Sequence, residues 1–198
     1  MHTAIFVVGP PGVGKTSAMR VLLGETFELY HDGKVKWTRA APYVFAGHYG
    51  LGTFDGADTV PNDGWLPNLE FWEKEYLPNE EYQVTIFDGD RFSHGNAVKW
   101  LEDRGVRVLC AHLTASDEVM DARRKERGSD QNPTWLAGRV TKSRNFSERF
   151  KPKETALFDM FGGGSDDSDT ENRLLEVVVE DITPEAVAEA VREFLTAE

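Results

Sequence analysis

The stretch Ala4-Ile5-Phe6-Val7-Val8-Gly9-Pro10-Pro11-Gly12-Val13-Gly14-Lys15-Thr16-Ser17 decides how the rest of the chain is read. Five consecutive apolar residues are the pattern of a strand buried on both faces, and residues 17–23 have the composition of a following helix. Between them sits a complete Gly-x-x-x-x-Gly-Lys-Thr loop, and a strand before it with a helix after it is the context that loop requires. The glycines let consecutive backbone N–H groups turn inward around a polyphosphate, with the positive end of the helix behind them. The whole loop, Gly9, Pro10, Pro11, Gly12, Val13, Gly14, Lys15, Thr16 and Ser17, is therefore expected to bind a nucleoside triphosphate. Lys15 is expected to reach the β- and γ-phosphates and the Thr16 hydroxyl to hold Mg²⁺, so the expected cofactors are ATP and Mg²⁺.

Downstream, apolar runs alternate with amphipathic ones. Residues 27–38 alternate loosely around Asp32-Gly33, a hairpin turn dipeptide. Strands are expected at 43–49, 82–87, 106–113 and 174–180, and helices at 68–76, 96–104, 116–127, 132–149 and from Thr183-Pro184 onward. Ser116, Asn132 with Pro133, and Thr183 with Pro184 carry the start chemistry of helices. Residues 161–172, rich in Gly, Asp and Ser, are expected to be an exposed, mobile loop. This order predicts one α/β domain over residues 1–198: a parallel sheet with helices on both faces, a small β-hairpin insertion, and a lid within about 123–150. In such sheets ligands bind beyond the carboxyl ends of the strands.

Composition narrows the function classes. The net charge of −12 argues against non-specific nucleic-acid binding. Residues 123–153, however, hold ten Lys or Arg against three acids, a surplus of seven positive charges on a strongly acidic remainder. That concentration implies a polyanion bound in one place. The single cysteine, Cys110, lies in an apolar run and is expected to be a buried thiol. No apolar run is long enough to span a membrane, and a strand at the N-terminus leaves no signal peptide, so a cytoplasmic protein is expected.

Three further segments could carry chemistry. Asp88, at the end of an expected core strand, is placed to hold Mg²⁺. Gly47 to Thr59 sets Asp55 and Asp58 in a glycine-rich loop, where one could act as base toward an acceptor and the other as a metal-shell ligand. His48, Tyr49, Phe54, Asp58 and Asp90 are the expected acceptor contacts. Tyr43, Phe45, Trp65 and Trp72 add aromatic surface nearby, most of it expected to be core.

Asp90-Arg91-Phe92 resembles the Asp-Arg-Tyr/Phe signature of thymidylate kinases and the Glu-Arg-Ser signature of deoxynucleoside kinases. Arg123-Arg124-Lys125-Glu126-Arg127-Gly128 resembles the arginine-rich lid of the same kinases. The resemblance implies that Arg91 engages the acceptor, that Arg123 and Arg127 assist transfer, and that Arg124 contacts the nucleotide. With the loop 48–59 and the segment 127–139, the chain is similar to small phage-encoded kinases, including the 5-hydroxymethyluracil DNA kinases. A nucleotide-type acceptor follows, with modified DNA leading and a free deoxynucleoside or its monophosphate as the alternative. A regulatory GTPase would need Asn-Lys-x-Asp, which is absent, and the only Asp-x-x-Gly begins at Asp159. A motor ATPase would need adjacent carboxylates at the second acidic motif, and none is found there.

Overall fold

All six residues of β1 (Thr3–Val8) are buried, because the strand runs through the sheet's interior with helices on both sides. The computed structural model describes residues 2–50, 55–152 and 173–197. After β1 come α1 (Lys15–Leu23), β2 (Glu28–Asp32), β3 (Val35–Ala40), β4 (Tyr43–Ala46) and α2 (Trp65–Glu75). Then follow β5 (Val84–Asp88), α3 (Gly95–Glu102), β6 (Arg107–Thr114), α4 (Asp117–Glu126), α5 (Pro133–Ser147), β7 (Leu174–Val178) and α6 (Pro184–Thr196).

The sheet order is β2-β3-β4-β5-β1-β6-β7. Strands β4, β5, β1, β6 and β7 pair in parallel, and the doubly wound α/β fold expected from the sequence is the one observed. The small hairpin expected from the sequence is present as β2–β3. It pairs antiparallel through β3 with β4 and so extends the main sheet at one edge. Alternation along β1 sends Ala4, Phe6 and Val8 into a core with Trp72, Leu101 and Phe146, and Ile5 and Val7 into one with Met19, Leu22 and Val191. Each Val, Ile, Leu, Met or Phe among these contributes about 1.5–3 kcal/mol on burial.

Three helix starts follow their caps: Ser116 accepts from the Val119 N–H, Asn132 from those of Thr134 and Trp135, and Thr183 from that of Ala186. Two boundaries differ from expectation by three residues. Helix α2 begins at Trp65 rather than 68, behind Gly64, which offers no side-chain cap for sequence reading to find. Strand β4 stops at Ala46 because Gly47 has φ 89°, outside strand conformation. The expected mobile loop at 161–172 lies outside the described residues.

Candidate functional site

The loop after β1 and the loop after β5 lie side by side, since the two strands pair in register from Thr3–Val84 to Val7–Asp88. Gly14 caps α1 in the left-handed region (φ 105°) and provides no side-chain acceptor. The first N–H groups of α1 thus have no partner from a capping side chain, which is the donor arrangement that an oxyanion fits. Lys15 Nζ folds back over the loop and donates to the carbonyls of Gly9 (2.7 Å) and Pro10 (3.1 Å). Dehydration lowers its pKa, while the charges of Asp90, Asp88 and Asp58 raise it and that of Arg127 lowers it. Thr16 and Ser17 are half-buried in the first turn of α1.

Asp88 is 3 % exposed, and burial pushes its carboxyl up to about 6 against the opposing Ala57 N–H bond (3.1 Å). That bond depends on Gly56: a Cβ there would stand 1.9 Å from Asp88 Oδ1, so only glycine lets the chain pass so close. Asp58, in the short turn Ala57–Thr59, stays accessible at the mouth of the site. The surrounding walls dehydrate it and raise its pKa, with Lys15 drawing it down and Asp90 pushing it up. The residues present therefore fit Mg²⁺ and a triphosphate: a loop of N–H donors, one lysine, one hydroxyl, the buried Asp88 carboxylate and the accessible one of Asp58.

Other expected contacts have different surroundings. Asp55, expected as an acceptor base, is bonded to Arg20 of α1 through Nε (2.7 Å) and accepts the Gly50 N–H (3.0 Å). Both oxygens are thus engaged in holding the loop. The His48 ring donates to the Tyr30 carbonyl (2.8 Å), and its burial lowers its pKa, so it ties the loop to the edge hairpin rather than facing an acceptor. Tyr49 is 1 % exposed and packs edge-on to Phe45 in the core. Burial raises the pKa of its hydroxyl well above the usual value, and the neighbouring Asp88 carboxylate raises it further. Phe45 and Trp72 are fully buried, and Phe54 lies outside the described residues.

Four cations of the basic segment, Arg123, Arg124, Arg139 and Lys142, are half-buried and bonded within the chain, while Lys125, Arg127, Arg144, Arg149 and Lys151 are exposed. Arg123 donates to the carbonyls of Val13 and Val179 (both 3.0 Å), and Arg124 to that of Pro11 (2.9 Å) while pairing with Asp121. Both arginines, expected as lid residues, bond the backbone of the phosphate loop at Val13 and Pro11. Arg91 donates to the Val60 carbonyl (3.1 Å) and to Asn62, joining its loop to the turn that carries Asp58. Arg139 of α5 pairs with Asp90 (2.5 Å), and Lys142 donates to the Asp90 carbonyl (3.1 Å). Sequence reading missed both Arg20–Asp55 and Arg139–Asp90, since the partners are far apart in the chain and share no local pattern. Arg127 is exposed.

No protein-family model matches the chain. No curated protein matches its sequence. Among solved structures, the tunicamycin resistance protein of Deinococcus radiodurans is similar in fold, with TM-score 0.53 and 16 % identity over 100 % of this chain and 98 % of that one. A gluconokinase from Sinorhizobium meliloti 1021 aligns at 17 % identity and TM-score 0.42 over 98 % of this chain and 89 % of that one. The first shares the α/β architecture of this chain from end to end.

Proposed function

We propose that this chain is a phosphotransferase that moves the γ-phosphoryl group of ATP to a hydroxyl of a small acceptor. The observation that carries the reading is the convergence of Lys15, Asp88, Asp58 and Asp90 where β1 and β5 end, each felt electrostatically by the lysine. The backbone of residues 9–16 and Lys15 would hold the phosphates, and Thr16 with Asp88 would hold Mg²⁺. When bound, the metal neutralises charge on the transferring phosphoryl oxygens.

Lys15 would exchange its two carbonyl bonds for phosphate oxygens. The acceptor oxygen bonds to the γ-phosphorus as the bond to the bridging oxygen breaks, and the acceptor's proton passes to Asp58. Asp58 suits that task better than Asp55, because it is accessible and its pKa is raised, whereas Asp55 is held by Arg20. Arg127, exposed and close enough to act on Lys15, supplies positive charge at the rim.

The expectation of a base within DNA has less support. Arg139, one of the cations that would track a strand, is committed to the Asp90 carboxylate. The chain's net charge of −12 repels a long polyanion.

The test is transfer from labelled Mg·ATP to a panel of nucleosides, nucleoside monophosphates, small phosphorylated or carboxylated alcohols and hydroxymethyluracil-containing DNA. ATP consumption should require an acceptor from the small-molecule arms. Hydrolysis at full rate without any acceptor would overturn the reading in favour of a motor or regulatory NTPase, and transfer to DNA alone would restore the base-kinase reading.

A further inference from the structure

An open cleft of about 420 Å³ lies between the start of α3 and the flank of α5, next to the Asp90 loop. Its walls include Ser93, His94, Gly95, Lys142, Asn145 and Arg149, and no acidic side chain lines it. The volume is that of a small-molecule site, and the charged side chains in its lining, Lys142 and Arg149, are both cationic.

Positive charge is concentrated there from three sources. The Arg149 guanidinium lies directly on the first residue of α3, since a Cβ on Gly95 would stand 2.5 Å from one of its terminal nitrogens. Arg149 has no hydrogen-bond or ion-pair partner among the described residues. Lys142 lines the same cleft, and its charge adds to burial in lowering the pKa of His94, which keeps that ring neutral. The third source is α3 itself: the ring of His94 accepts the Ala97 N–H, so the N–H groups of Gly95 and Asn96 remain for a ligand. A guanidinium placed against the positive end of a helix is electrostatically unfavourable on its own. An anion seated between them turns that repulsion into two attractions.

Position supplies the link to chemistry. Lys142 reaches both the cleft and the Asp90 carbonyl, and Ser93 of the cleft donates to the Gly89 carbonyl (2.6 Å), one residue beyond Asp88. The wall of the cleft is therefore bonded at two points to the loop that carries Asp88 and Asp90. We propose that it seats an anionic group carried by the acceptor, a phosphate monoester or a carboxylate, so that the acceptor is a small anionic alcohol. This inference rests on the phosphotransferase reading for the identity of its ligand as acceptor.

The test uses inorganic phosphate and acetate as separate probes, titrated calorimetrically into the full chain saturated with Mg²⁺ and a non-hydrolysable ATP analogue. One probe should bind at a single site with an affinity in about the millimolar range, and which one it is distinguishes phosphate from carboxylate. Arg149→Gln should weaken that binding roughly tenfold or more, because a charged, fork-shaped donor is lost. Gly95→Ala should weaken it several-fold by displacing the guanidinium, while the helix itself tolerates alanine. The analogue's own affinity should be the same in both variants. Equal probe binding by wild type and Arg149→Gln, or no binding of either probe up to about 50 mM, would overturn the proposal. If the ATP analogue itself fails to bind, the phosphotransferase reading falls; titration of the Lys15→Ala chain without nucleotide then still decides whether the cleft takes an anion.

Discussion

The phosphate loop and the basic segment are the two cation-bearing regions that face the end of the sheet, and they use their charge in opposite ways. In the loop, one lysine is held in place by weak, replaceable bonds to Gly9 and Pro10 carbonyls, and the neighbouring N–H donors have no side-chain cap. In the segment, Arg123, Arg124, Arg139, Lys142 and Lys151 each already serve a carbonyl or carboxylate of the same chain. Charge counted along a sequence is therefore not charge available to a ligand. Cations engaged in this way hold the scaffold and reach a ligand only by sharing or exchanging those bonds.

The strongest way to break this contrast is to remove the one lysine that is held ready. Lys15→Ala should reduce phosphoryl transfer by on the order of 10² or more, several kcal/mol of transition-state stabilisation, with the melting temperature little changed. Transfer kinetics alongside thermal unfolding measure both halves. Near-normal turnover by the folded variant would mean the loop does not do the work assigned to it.

Asp88 offers a sharper version, because its effects on stability and on activity have opposite signs. Its folded pKa, about 6, lies above the usual carboxylate value, so the folded chain keeps a proton that the unfolded chain loses between roughly pH 4 and 6. Stability therefore falls as pH rises through that window and stays lower above it. Asp88→Asn keeps an acceptor for the Ala57 N–H and should stabilise the nucleotide-free chain by roughly 1–3 kcal/mol at pH 7 and negligibly near pH 4. It should also abolish most Mg²⁺-dependent transfer, and wild-type transfer should fall as pH drops below about 6. Denaturant titrations at the two pH values check the first claim, and a pH–rate profile the second.

The smallest expected effect belongs to the segment. Arg123→Gln should act mainly through the scaffold, costing about 1–3 kcal/mol of stability through the carbonyls of Val13 and Val179 and weakening nucleotide binding as the loop loosens. A variant with unchanged stability but strongly reduced turnover would restore Arg123 to a role at the reacting phosphates.

Much of the fold is legible from local chemistry. The apolar run before Gly9, the alternation of strand and helix, and the caps at Ser116, Asn132 and Thr183 each act over a few residues, and each element they specify is present. The phosphate loop is likewise a local object, since its glycines, lysine and helix start lie within one short run. What the sequence did not determine is which charged groups meet. Asp55 and Asp58 are both acidic residues of one loop, yet only tertiary packing brings Arg20 onto the first and leaves the second open beside Lys15. Arg139 and Lys142 look like free helix-surface cations until α5 docks on the β5 loop and Asp90 takes both. Strand and helix periodicity depends on residues two to four apart, so a sequence carries it directly. Ion pairing depends on distances set by the packing of elements many residues apart, and only the folded chain decides those.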